Sequence, residues 1–281
     1  MTSAIDRPYR GSGFDPPADL PIPPARMPLL RHWQLRKNWH YVSFWSPQLS
    51  LCAASASVGP LKQHYWGIWD RSAKEFREGN HIVKRPVKIS ADRLEVNDAG
   101  TIIDISFPST SSFEVYRPAN RAYIWSHKDY SANASGTVTH DGTTLTVGGV
   151  MFVDVNAGYH ERQTRWRWAA GAGLDKQNRL IAFNAIEGLF DTPNNSERTI
   201  WIDGAAQEVG PTKFTDDLSA VSFTEGGTLR FEPEALIEKH DNYLVVRSDY
   251  FHWFGTFSGT LPGGIELGEA HGVMENHNAL W

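Results

Sequence analysis

Ser135-Gly136-Thr137-Val138-Thr139-His140-Asp141-Gly142-Thr143-Thr144-Leu145-Thr146-Val147 decides the fold. Two β-type runs flank Asp141-Gly142, a dipeptide whose members tolerate positive φ and so reverse a strand within two residues. Outward from this hairpin the same cadence of short runs and turn residues continues in both directions. Upstream lie 122–128, 112–116, 101–107, 94–96, 87–89, 63–69, 49–57 and 39–45; downstream lie 163–170, 180–185, 198–202, 220–223, 228–232, 244–250 and 254–260. Only Pro233 to Lys239 has the composition of a helical turn. An all-β chain of antiparallel meanders is expected, closed or nearly closed into barrels, since closure removes exposed strand edges.

The chain has 281 residues, which suits one large β unit or two packed halves. Gly158-Tyr159-His160-Glu161 and Gly272-Val273-Met274-Glu275 share a Gly-x-x-Glu spacing after a meander. This predicts two related halves, 31–165 and 166–281, each carrying the motif in a strand. Residues 1–30 hold seven prolines, from Pro8 to Pro28, and are expected to form an extended arm that wraps the body. Asn133-Ala134-Ser135 and Asn194-Asn195-Ser196 match the glycosylation sequon and are placed in loops.

A formal net charge of −5 with no basic block argues against a nucleic-acid partner. One cysteine, Cys52, precludes an internal disulfide, and its apolar surroundings predict a buried thiol. No basic start followed by an apolar run and no stretch of about 18 apolar residues is present, so a cytoplasmic protein without a membrane span is expected. Gly-x-Ser-x-Gly, P-loop, dinucleotide and His-Glu-x-x-His signatures are absent, and no cofactor is expected.

His271-Gly272-Val273-Met274-Glu275-Asn276-His277 is the densest candidate for chemistry. Strand alternation places His271, Val273, Glu275 and His277 on one face. Three readings stand: a two-His, one-carboxylate metal site, an acid–base group whose Glu275 pKa is raised by a cavity wall and whose His277 positions it, and a polar cluster that closes the barrel. The first-half motif offers Glu161 without the histidines, either as a second catalytic carboxylate or as a tie to Arg162 or Arg198. Asp191, in the turn-rich segment 187–198, is a further candidate acid.

Eleven tryptophans imply an aromatic core or the lining of an apolar site. Trp39, Tyr41, Ser43 and Trp45 share one strand face and His40, Val42 and Phe44 the other, while Trp66 and Trp69 follow in the next run. The substrate-contacting candidates are Trp39, Tyr41, Trp45, Trp66 and Trp69, with Tyr159, His271 and Trp281. Such rings accept bulky hydrocarbon and stabilise a carbocation by roughly 0.5 to 2 kcal/mol per ring.

Arg31-His32-Trp33-Gln34-Leu35-Arg36-Lys37-Asn38-Trp39-His40-Tyr41, Trp66-Gly67-Ile68-Trp69-Asp70-Arg71, Ser196-Glu197-Arg198 with Trp201-Ile202-Asp203-Gly204, and the Gly-Val-Met-Glu-x-His ending resemble the bacterial family called domain of unknown function 2804. More distantly, Asn38-Trp39-His40-Tyr41 is similar to the opening of a superfamily that includes carotenoid 1,2-hydratase, tocopherol cyclase and fungal Diels–Alderases. That resemblance implies two lipocalin-like (calycin-like) barrels and cofactor-independent hydration, isomerisation or cyclisation of an isoprenoid or polyene. Of the superfamily's functional positions, Glu161 and Glu275 transfer. Asn38 and His40 depart from the opening motif. A hydrophobic small molecule is the expected partner, and the alternative to an enzyme is a lipocalin-like carrier of an apolar ligand.

Overall fold

A computed structural model describes residues 7–13, 15, 20–119, 122–243 and 246–281. Its strands fall into two compact units, Met1–His160 and Glu161–Trp281. Prolines 16 and 17 of the arm, and Leu244 and Val245 of the strand expected over 244–250, lie outside the described residues.

In the first unit the sheet runs, in spatial order, Glu75–His81, Leu61–Asp70, Leu49–Val58, Lys37–Trp45, Thr143–Gly158, Ala122–His140, Thr101–Ser106, Arg93–Asp98, Val87–Ile89. Ser111–Ala119 pairs the other end of Ala122–His140 and carries Tyr9–Gly11 on its far side. In the second unit the order is Ala205–Glu208, Thr199–Ile202, Leu180–Glu187, Gln163–Asp175, Ile265–Leu280, Val246–Leu261, Thr228–Tyr243, Ala220–Phe223, Thr212–Phe214. Both orders say the same thing. The two edges are consecutive in the chain, so each sheet is a meander curled until its first long strand bonds to its last. Side chains cross the remaining seam: His64 Nδ1 lies 3.2 Å from the Val87 carbonyl, and Thr212 Oγ1 donates to the Ile186 carbonyl at 2.8 Å.

The predicted hairpin is present, with Asp141 at φ 46° and Gly142 at φ 80°. Its strands are far longer than the runs suggested, because bulges bend them instead of ending them. Ala122–His140 bends between Ser131 and Ala134, so Asn133 of the first sequon lies in a strand and not in a loop. Pro233 to Lys239 is likewise strand, within Thr228–Tyr243. A bulge between Pro233 and Ala235 absorbs the proline's missing N–H, and pairing with Val246–Leu261 outweighs the local helix propensity.

Each sheet turns one face inward onto apolar side chains. Val42, Phe44, Leu51, Trp66, Ile68, Ile105 and Met151 belong to the core of the first unit. Beyond it one rung of the same face, His127, Val155, His40, Ser55, His64 and His81, turns polar. Burial, and then the neighbouring His127, push His40 down to about 4. The second core is phenyl-rich, with Phe257 packed edge-on against Phe183 at 5.0 Å and tilted against Phe231 at 4.7 Å. Residues 20–28 of the arm pack on the first unit: Leu20, Ile22 and Met27 are buried against Tyr116, Tyr123 and Trp125, while Tyr123 and Tyr159 donate to the carbonyls of Pro21 and Pro28. Cys52 is buried. Among the described residues no helix is long and apolar enough to cross a membrane.

The two Gly-x-x-Glu copies differ. Gly272 to Glu275 lie mid-strand, but the first copy is not a strand, since Thr143–Gly158 ends at its glycine and Glu161 is exposed ahead of Gln163–Asp175. What they share is the glycine's role in close strand approach. A Cβ at Gly158 would lie 2.7 Å from Ile124 Cα, and one at Gly272 would lie 2.3 Å from the Ala170 carbonyl oxygen and 2.8 Å from Gly171 Cα. Gly272→Ala is therefore expected to destabilise by about 1 to 3 kcal/mol in urea unfolding. Gly148→Ala, whose Cβ meets nothing within 4 Å, should change stability by less than about 0.5 kcal/mol. Equal effects of the two would refute the close-approach explanation.

Candidate functional site

The strand Ile265–Leu280 lies between Gln163–Asp175 and Val246–Leu261, and register fixes its neighbours. Trp168, Glu275 and His252 form one rung, and Trp166, His277 and Tyr250 the next. Met274 and Ala270 point into the phenyl-rich core, so Glu275 and His277 belong to the opposite face of the same sheet.

Glu275 is 7 % exposed. Trp166 Nε1 donates to its Oε1 at 2.6 Å, and His252 Nδ1 lies 3.3 Å from its Oε2. Burial by itself pushes the carboxyl up; the hydrogen bonds of His252 and of the Trp166 N–H act against it, leaving the group below the usual carboxylate range. This reverses the expected sign. The group is a carboxylate at neutral pH, held by fixed donors, and not a raised acid.

Aromatic rings surround this anion. His277 sits 4.2 Å from Trp166 and 5.1 Å from Tyr250, centroid to centroid, with Nε2 2.8 Å from Ser248 Oγ. Desolvation holds its pKa down to about 4, against the attraction of Glu275, Asp241 and Asp249. The fully buried His252 is stacked between Tyr250 and Trp168 and meets Phe254 edge-on. Trp168 Nε1 donates to Asn184 Oδ1 at 2.6 Å, and Asn184 Nδ2 donates to the Glu197 carbonyl at 2.7 Å. Trp281 closes the end, with its ring 6.0 Å from His277 and its N–H on Thr164 Oγ1.

The other candidates are dispersed. His271 shares the face but sits two rungs from Glu275, with Nε2 3.8 Å from Glu269. Among the described residues no three His, Cys, Asp or Glu side chains gather in a metal-ligating arrangement. Asp191 is held by the fully buried Arg198 through Nη1 at 2.5 Å and accepts from the Gly188 N–H, which ties down the segment after Leu180–Glu187. Arg198 is therefore partnered by Asp191. In the first unit Trp39, Tyr41 and Trp45 share the face away from the core, and pairing puts Trp69 there through Ser50. Trp66 points the other way, into the core, and donates to Asp98 Oδ2 at 3.0 Å. Tyr159 is fully buried and clamps the arm.

Two features of these faces escaped the sequence reading. Lys128, 2 % exposed, pairs with Asp154 at 2.7 Å on the Tyr41 face. His252 was missed because the turn at Pro262–Gly264 pairs Leu261 with Ile265, which in regular register would set Phe251 opposite Glu275. A bulge between Phe257 and Gly259 shifts the pairing by one and brings His252 onto the glutamate's face. Gly259, at φ 130°, was the available signal.

Comparisons with known proteins agree with the fold. The family described as Domain of unknown function (DUF2804) matches residues 75–281. A protein of Nitrosomonas europaea assigned as AttH is 11% identical, covering 91% of this chain and 98% of its own, with a TM-score of 0.53. Kievitone hydratase from Nectria haematococca is 12% identical, covering 85% and 88%, with a TM-score of 0.52. No curated protein matches the sequence.

The lowered pKa of His277 ties stability to pH. Between pH 4 and 6.5 the unfolded imidazole is protonated and the folded one is not, so stability is fully present above 6.5 and is lost as pH falls through 4. The urea midpoint of His277→Gln should therefore rise less steeply over this window than that of the wild type. Parallel curves would show that the imidazole titrates normally.

Proposed function

The chain belongs to the DUF2804 family, and we propose that it is a cofactor-independent enzyme that moves a proton to or from an unsaturated apolar small molecule. Hydration, isomerisation and cyclisation of an isoprenoid or polyene are the reactions this covers. The reading rests on one observation: a desolvated carboxylate, Glu275, held by His252 and Trp166 on the aromatic face of its sheet, away from the core.

The roles follow from the charge. Glu275 remains anionic and fixes the His252 ring through Nδ1, so the proton that moves is carried on Nε2 of His252. The anion also stabilises the imidazolium formed when His252 takes a proton, and any cation that develops on the substrate. Trp166, Trp168, Tyr250 and Trp281 supply π faces that bind an alkene and favour positive charge on it. His277, held neutral, orients a polar group or a water at the edge of the site. In the first unit Trp39, Tyr41, Trp45 and Trp69, which share the face away from that unit's core, are proposed as contacts for an apolar ligand of their own. Asp191 is given a structural role by its Arg198 pair, and Glu161, exposed ahead of Gln163–Asp175, is given no part in the proton transfer. The fold supports this reading, since a protein sharing it is by name a hydratase, the kievitone hydratase of Nectria haematococca.

The protein incubated with polyprenyl alcohols or carotenoid precursors should release a product of altered mass or retention. Glu275→Gln and His252→Gln should each slow this by about 10² to 10⁴, the usual worth of a general acid or base, while unfolding remains cooperative. Unchanged ligand recovered from wild type and both variants alike would replace the enzyme with a carrier.

A further inference from the structure

The segment from Leu20 to Trp69 contains Arg26, Arg31, Arg36, Lys37 and Lys62 and no Asp or Glu, in a chain whose formal net charge is −5. Two turns of this segment lie side by side at one end of the first unit. One is the hairpin in which Leu30–Arg31 pairs with Gln34–Leu35; the other is the turn between Leu49–Val58 and Leu61–Asp70. The Gly59 N–H donates to the Arg36 carbonyl at 2.8 Å, and a Leu35 methyl lies 3.1 Å from where a Cβ on Gly59 would stand.

This double tip is apolar and open. Trp33 is 93% exposed, Leu61 55%, Leu29 and Leu30 49% each and Leu35 40%. The backbone presents the indole at some cost, since His32 and Trp33 take φ 45° and 65°, the left-handed turn conformation that hairpins ordinarily give to Asn and Gly. The base of the hairpin is anchored. Arg36 Nη1 donates to the Met27 carbonyl at 2.6 Å, and the Arg31 guanidinium lies over the Tyr123 ring at 5.3 Å. Arg26, His32 and Lys62 of the same segment are exposed.

We propose that this tip docks the protein reversibly on a membrane surface that carries anionic lipid. Tryptophan partitions to the level of lipid headgroups, leucines enter the acyl boundary beneath, and the exposed cations of a segment without Asp or Glu meet the negative surface. A second copy of this chain is the wrong partner, because two such tips would bring like charges together. The proposal uses none of the residues assigned to proton transfer, so either can fail without the other.

The test is sedimentation of the intact chain with vesicles of phosphatidylcholine alone or with about one third phosphatidylglycerol. Binding is expected on the anionic vesicles, with release at high salt. Trp33→Ala and Leu61→Ala should each weaken it about tenfold, since apolar insertion and charge act together. Both side chains stand in solvent, so the variants should unfold as the wild type does. Failure to sediment at millimolar anionic lipid would overturn the proposal, as would binding that both variants retain in full. A dimer in solution that Trp33→Ala dissociates would also overturn it, by giving the tip to a second copy.

Discussion

The backbone pairing of first strand with last is the constraint on which the rest of each unit depends. Lys37–Trp45 against Thr143–Gly158, and Gln163–Asp175 against Ile265–Leu280, curl a meander back on itself and leave its two edges consecutive in the chain. The pairing needs close backbone approach, which is why glycine stands at 158 and 272. Once the sheet has curled, every strand residue has two destinations, the inward apolar face or the opposite one. Parity along the strand then decides the chemistry available to it.

Glu275 is informative because of which face it takes. Inward it would meet phenyl rings and no donor, and an ionised carboxylate there would cost far more than one hydrogen bond returns. On the other face two strands supply an indole N–H and an imidazole, and the next rung supplies a second imidazole. The two hydrogen bonds overcome desolvation, so the anion persists. Trp168 and Asn184 connect the His252 stack to the Glu197 backbone, beside the segment that Arg198 and Asp191 tie down.

Much of the fold was legible. The Asp141-Gly142 hairpin, the meander cadence, the buried Cys52 and the shared faces of the Trp39 and Glu275 strands all follow from turn chemistry and alternation. The failures have a common cause. Local composition marks Pro233 to Lys239 as helical and Asn133 as loop and sets Trp66 beside Trp69, because it does not report bulges or the face a neighbouring strand presents. Glu161 was paired with Glu275 by spacing, yet only one of the two lies in a strand.

By itself the sequence determined an all-β chain, its hairpin turns, the alternation that sets His277 with Glu275, and the rings available to an apolar ligand, because these depend on residues near one another in the chain. Tertiary structure decided the charge of Glu275 and the identity of its partner. A single bulge after Phe257 moves His252, and not Phe251, onto the glutamate's rung. Register across a bulge depends on the whole ladder, and a carboxylate's pKa depends on what that ladder brings within hydrogen-bond reach.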